Sequence, residues 1–324
     1  MQWRGPEHMY HPYFRGKQFD LLTIREMAPL LSGAGFCPIV EPVRRDVLGG
    51  LNKALDAVVE AGGRSIMIVN PQHGDLSGAG EPLSDMLKGK FLDLPGISAG
   101  ILLKQETSVL EALKCYQQHS SHSPVFIHAG FGEAKALAER LGQFSKDDCH
   151  VFFEDHCGKL YLKHFKGAHR VLLRDGFEHV KRNRDHVPLQ KFSDLHVTFD
   201  DEGMDGFGDF LIVGDEYSES GGPAYAIAIH LTFIDPDKED EMWIHHFLSE
   251  RQDTPKDPAG KFAEALARMM QVLNKPNNKI LETKAVQEFR KLYKDGHFPG
   301  LGHVKKISMN HHIETLAHYF GKGK

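Results

Sequence analysis

The chain has 324 residues, 41% of them hydrophobic and 26% charged, a balance that builds an ordinary globular core and excludes a disordered polymer. With 39 Lys+Arg against 44 Asp+Glu the net charge is -5, which removes any general electrostatic case for nucleic acid or an anionic membrane surface. The 21 histidines make that charge sensitive to mild acid, and the four cysteines (Cys37, Cys115, Cys149, Cys157) form no C-x-x-C pair, so reduced thiols in a cytoplasmic protein are expected.

The opening MQWRGPEHMYHPYFRGKQ lacks the apolar run of a signal peptide. The patterned sequence starts at Tyr10, which makes Met9 an expected natural start, and no later stretch has the roughly 20 apolar residues of a membrane span. Short apolar runs then follow at Phe36–Val40, Ser65–Val69, Ser98–Leu103, Val125–His128, Val151–Phe153, Val171–Leu173, Phe210–Val213 and Tyr225–Phe233. Continuous runs of this kind suit strands buried on both faces.

Helical patterns lie between the early runs. Leu51, Leu55, Val58 and Val59 share one face, as do Val109, Leu110, Leu113 and Tyr116, and then Ala134, Leu137, Ala138 and Leu141. Strand followed by helix, repeated, predicts right-handed βαβ units and a modified (βα)8, TIM-like barrel; an open doubly wound sheet is the alternative. The second half is less regular. Only Gly214–Ala224 separates the last two runs, which suggests a hairpin, and a second hairpin is expected where IHLTFID meets EMWIHHF across the charged turn Pro236–Asp240.

Past Glu250 the character changes. RQDTPKDPAG reads as a linker, Asp257 as the cap of a helix starting at Pro258, and Phe262, Leu266, Met269, Met270 and Leu273 as its apolar face. Further helices are predicted over Thr283–Lys294 and Met309–Phe320. The expected organisation is a barrel-like domain over 9–250 with an antiparallel extension, and a helical appendage over 251–324.

In a parallel barrel the loops at the carboxyl ends of the strands converge on one mouth, where ligands sit. The polar residues closing the runs are Glu41, Asn70 and His73, Lys104 and Glu106, His128, Glu154 and Asp155, Arg174 and Asp175, and Asp215. Glu41, Asn70, Lys104, His128, Asp155 and Arg174 form the candidate catalytic set. Acids, amides and bases together have the chemistry of a general acid and base, or of an oxygen-loving metal's ligands. Strand ends meeting water, with ion pairs inside the mouth, would present the same residues.

Cys149, His150, His156 and Cys157, with His164 and His169, match no familiar zinc spacing, and alternation sends strand neighbours to opposite faces, so no metal ligands are assigned. The adjacent Gly221 and Gly222 would either offer backbone amides to an anion or simply supply a loop needing positive φ. FRGKQ (Phe14–Gln18, with Lys17 and Gln18) and GHVKKIS (Gly302–Ser308) are further candidate phosphate contacts, or solvated turns. No dinucleotide fingerprint, phosphate-binding loop, H-E-x-x-H or nucleophile elbow is present.

MYHPYFRGKQFDLLTIRE followed by PIVEPVR, and further on GFGDF, GGPAYAIAIHLTF and FPGLGHVKKIS, resemble a bacterial family known by a locus tag, over most of the chain from Met9 onward. That family is distantly similar to the phage beta-protein family, in which a lysine–glutamine element precedes a strand ending in glutamate; Lys17, Gln18 and Glu41 occupy those positions. The resemblance implies a setting in phage-defence or mobile regions beside a nuclease-like partner protein. It transfers no catalytic residues and no cofactor.

Two functions of different kind follow. One is an interaction or sensor protein of a defence module, binding a partner or small-molecule ligand; the other is a metal-assisted hydrolase or lyase acting on a phosphate-bearing small molecule. Direct nucleic-acid binding is disfavoured by the charge. Convergence of the mouth residues within hydrogen-bond reach would favour the enzyme, whereas residues pointing apart or tied into ion pairs would favour the scaffold. Loss of the biological effect without loss of fold is expected for Glu41→Ala or His128→Ala if these two residues lead a working site.

Overall fold

The computed structural model describes residues 9–92, 94, 96–219, 222 and 224–321, which divide into two compact units, 9–174 with 198–210, and 175–197 with 211–321. The antiparallel sheet thus groups with the C-terminal helices, whereas the sequence suggested a division at residue 250.

In the first unit strands and helices alternate: β1 (Tyr13–Phe14), α1 (Gln18–Ala34), β2 (Ile39–Val40), α2 (Leu48–Glu60), β3 (Ser65–Ile68), α3 (Glu81–Lys90), β4 (Ile97–Leu103) and α4 (Val109–Gln118). The series continues with β5 (Val125–His128), α5 (Ala134–Leu141), β6 (Cys149–Phe153), α6 (Lys159–Lys163) and β7 (His169–Leu173). The chain then makes β8 (Leu189–Ser193) in the second unit and the short α7 (Leu195–Thr198), and returns for β9 (Gly206–Gly208). β1 to β7 and then β9 pair in parallel in sequential order. Phe207 N donates to Met9 O (2.8 Å), His11 N to Phe207 O (2.8 Å) and Tyr13 N to Asp209 O (2.9 Å). These bonds bring β9 back to the segment entering β1, so the sheet is a nearly closed TIM-like barrel and not an open doubly wound sheet.

Strand alternation fills the interior. Ile39, Ile66, Ile68, Leu102, Val125, Ile127, Val151, Phe153, Val171 and Leu173 form one buried cluster with Tyr13 and Phe210. The expected strand over Phe210–Val213 does not form, and its proposed hairpin with the next run falls with it. Leu211 adopts a positive φ of 51°, which ends extended structure there. The barrel instead uses Gly206–Gly208, where a Cβ on Gly208 would lie 2.2 Å from His11 O and 2.3 Å from Leu173 Cδ2. Only glycine permits this approach of backbone to backbone.

In the second unit β10 (Ala228–Asp235) and β11 (Glu241–Leu248) form the expected antiparallel hairpin across the 236–240 turn, and β8 adds to the far edge of β11. Ile229, Leu231 and Phe247 pack with Phe262, Leu266, Met269, Met270 and Leu273 of α8 (Pro258–Leu273), the face read from the sequence. Val286 and Phe289 of α9 (Lys284–Asp295) and Val304 and Ile307 of α10 (Leu301–Gly321) complete this core. GHVKKIS lies inside α10, with Lys306 buried, so it is not a turn.

Thr283 caps α9 by accepting from Val286 N (3.1 Å), and its Oγ1 also lies 2.8 Å from His311 Nδ1. Thr283→Ala removes the cap and a partner of a buried imidazole, an expected loss of about 2 kcal/mol. Urea unfolding should show this, with Thr283→Ser largely retaining stability; equal stability of the alanine variant would refute the double role.

Candidate functional site at the barrel mouth

Tyr13, Arg15 and Glu41 belong to the same alternation as the interior residues of β1 and β2, which carries their side chains to the carboxyl end of the barrel. Glu41 is fully buried and uses both oxygens. Oε2 accepts from Tyr13 OH (2.8 Å) and from Arg15 Nη1, while Oε1 accepts from Gln72 N (2.9 Å) and lies 2.9 Å from His73 Nδ1. Burial alone would raise the carboxyl's pKa, but the His73 hydrogen bond and the charges of Arg15 and His73 outweigh it and hold the group at about 2. Glu41 is therefore a carboxylate at any physiological pH. Gly16, at φ 61°, permits the crossing here, since a Cβ would stand 2.9 Å from Glu41 O.

Around this anchor lies an aromatic floor. The Tyr13, Phe153 and Phe210 rings meet pairwise at centroid distances of 5.5, 5.1 and 5.2 Å. The Arg15 guanidinium stands 5.0 Å from the Tyr13 centroid, and Lys104 Nζ stands 5.9 Å from that of Phe153. Lys104 is half-buried, and among the described residues its ammonium makes no ion pair. Arg15 and Glu41 cancel in charge, which leaves Lys104 as the net cation of this floor.

The other predicted residues are placed differently. Asn70 bridges β3 and β4, donating to Leu102 O (2.9 Å) and accepting from Leu102 N (2.8 Å), so its amide extends the sheet ladder. His128 faces out of the barrel, because Ile127 before it faces in. It is buried among Phe152 and Phe165, with Nδ1 2.6 Å from Tyr161 OH and Nε2 2.9 Å from His150 Nδ1. Burial pushes the His128 pKa well below the ordinary histidine value, so the ring is neutral. Arg174 also faces outward and clamps Glu154 through two bonds (2.6 and 2.7 Å) and Glu202 through a third (2.7 Å).

Asp155 and Glu106 are exposed. Asp175 and Asp215 belong to the second unit, where Asp175 Oδ2 accepts from Asp215 N (2.7 Å). Lys17 caps α1, its backbone N–H donating to Asp20 (3.2 Å), and Gln18 is the exposed first residue of that helix. Gly222 is exposed, and Gly221 lies outside the described residues. Cys149 lines the barrel interior while His150 faces outward, so the Cys/His stretch does not point one way. Sequence reading thus located Glu41 and Lys104 but did not join them to Tyr13, Arg15 and His73. β1 is only two residues long, too short for the step from Tyr13 to Arg15 to show as a pattern.

These features define a parallel β/α barrel whose mouth holds an internally neutralised carboxylate network, an aromatic floor and one lysine. No family model matches the chain, and no curated protein or solved structure shows significant similarity to it. Among the described residues no helix is long and apolar enough to cross a membrane.

Proposed function

We propose that this is a ligand-binding barrel of a cytoplasmic phage-defence or mobile-element module, acting with a nuclease-like partner and receiving an anionic small molecule at its mouth. The module and the partner rest on the sequence resemblance. The binding role rests on one observation: Lys104 carries the floor's net charge above Phe153 while Glu41 is committed to internal partners. A carboxylate held at about 2 by His73, Arg15 and Gln72 is a poor proton acceptor near neutrality, and His128 and Arg174 are engaged away from the mouth. Residues tied into ion pairs favour a scaffold over a hydrolase or lyase. An ammonium beside an aromatic ring suits a phosphate- or carboxylate-bearing ligand with a flat apolar part.

The test is Lys104→Glu in cells carrying the whole locus, scored by phage plating, with native mass spectrometry of the purified chain alongside. Loss of protection and of a co-purifying anionic molecule, at unchanged melting temperature, is expected. Full protection by the variant would refute the site, and turnover of the bound molecule by the wild type would favour the enzyme.

A further inference from the structure

Three histidines far apart in sequence meet in the second unit. His230 on β10 and His246 on β11 are direct cross-strand partners, and His186 precedes β8, close to where Pro188 O accepts from His246 N (3.0 Å). One ring nitrogen of each lies within 4.8 Å of the other two. His230 Nδ1 and His246 Nδ1 are 2.7 Å apart, the His186 and His246 rings stack at 4.3 Å, and Phe177 packs edge-on against all three. We propose that His186, His230 and His246 form a binding site for a borderline divalent transition metal ion of the zinc class.

The donor set fits such an ion. Three imidazoles with one position left for water or a ligand are a recurring zinc arrangement, and among the described residues no fourth ligating side chain joins the group. In a tetrahedral site with bonds of about 2.0–2.1 Å the nitrogens stand roughly 3.3 Å apart, so closure takes movements of about 1 Å. His186 and His246 are buried, and His186 Nδ1 and His246 Nε2 have no hydrogen-bond partner among the described residues. Orphaned nitrogens in a closed polar cluster are costly unless something else engages the rings.

Burial lowers the pKa of all three imidazoles, His246 to about 3, so no proton of an imidazolium has to leave before a metal binds at neutral pH. Glu178 and Asp185 add negative potential near His186, where His179 opposes it, and Lys305 adds positive potential near His230, so selectivity for the ion comes from nitrogen ligation more than from charge.

The test uses the full chain without an affinity tag, stripped with chelator and titrated with Zn2+ against a chromophoric competitor, with Co2+ as a spectroscopic reporter. One equivalent of tightly bound zinc is expected, and a cobalt complex with the strong visible absorption of four or five ligands. Since losing even a partner of a ligand costs about 10–100-fold in affinity, His186→Ala and His230→Ala should each weaken zinc by more than about 100-fold. His179→Ala, at an exposed position in the same segment, should not weaken zinc binding. Wild-type affinity in both site variants, or only the weak cobalt spectrum of octahedral surface sites, would overturn the assignment. If His246→Ala fails to fold, His186→Ala and the wild-type cobalt spectrum still decide. The outcome is independent of the barrel mouth, where Lys104→Glu is the readout.

Discussion

Gly208→Ala is expected to prevent the barrel from closing. The new methyl group would stand 2.2 Å from His11 O and 2.3 Å from Leu173 Cδ2, and the first of these is backbone held in the ladder that links β9 to the chain before β1. The Leu173 side chain can turn aside, but His11 O cannot move without breaking strand pairing, so the cost exceeds the usual 1–3 kcal/mol of overpacking and is expected at about 3 kcal/mol or more. Circular dichroism melts and the soluble yield would report it. A variant that melts with the wild type would show that β9 does not seal the barrel in this way.

Glu41→Gln should be nearly as damaging, for an electrostatic reason. The substitution leaves Arg15 buried beside a neutral amide and replaces an acceptor of Gln72 and His73 with a group that also donates. Breaking a buried ion pair on one side costs about 3–5 kcal/mol. The same group gives a pH signature. Its carboxyl falls from an ordinary 4.5 to about 2 in the folded chain, so its stabilisation is complete above about pH 4.5 and disappears as pH falls toward 2. The shift corresponds to about 3 kcal/mol. Chemical unfolding at a series of pH values should show this acid loss in the wild type and a flattened profile in Glu41→Gln. Parallel profiles for the two would remove Glu41 from its central place in the mouth.

Both oxygens of Glu41 are engaged by internal partners, an arrangement only half legible in the sequence. The apolar run ending in Glu41 declares a buried strand with an acid at its end. Nothing local says that Tyr13 and Arg15 answer it, because β1 has only two residues and its pattern cannot be seen. His128 lies away from the mouth for a different reason: position at a strand's end does not decide which face a residue takes, and one step of alternation turned it outward. The βα rhythm and the α8 face were readable because each repeats over many residues. β9 was not, since a strand chosen for the smallness of its glycines carries no apolar signature.

The histidine group shows the same limit. The sequence-expected hairpin across 236–240 already sets His230 and His246 equally far from the turn, and antiparallel register then pairs them. His186 comes from beyond the hairpin, from a stretch with no pattern of its own, and no spacing rule reaches it.

The interleaving of the two units along the chain also governs the order in which they can be completed. The barrel's first strands are made long before β9, and Tyr10 meets Asp209 across a separation of 199 residues. Residues 175–197, which include the edge strand β8, emerge before β11 exists to pair with that strand. A nascent chain therefore carries an unsealed barrel edge and an unpaired strand together, each an exposed template for wrong partners. Synthesis speed and chaperone access across residues 170–250 should thus govern the yield of folded protein more than the final stability of either unit.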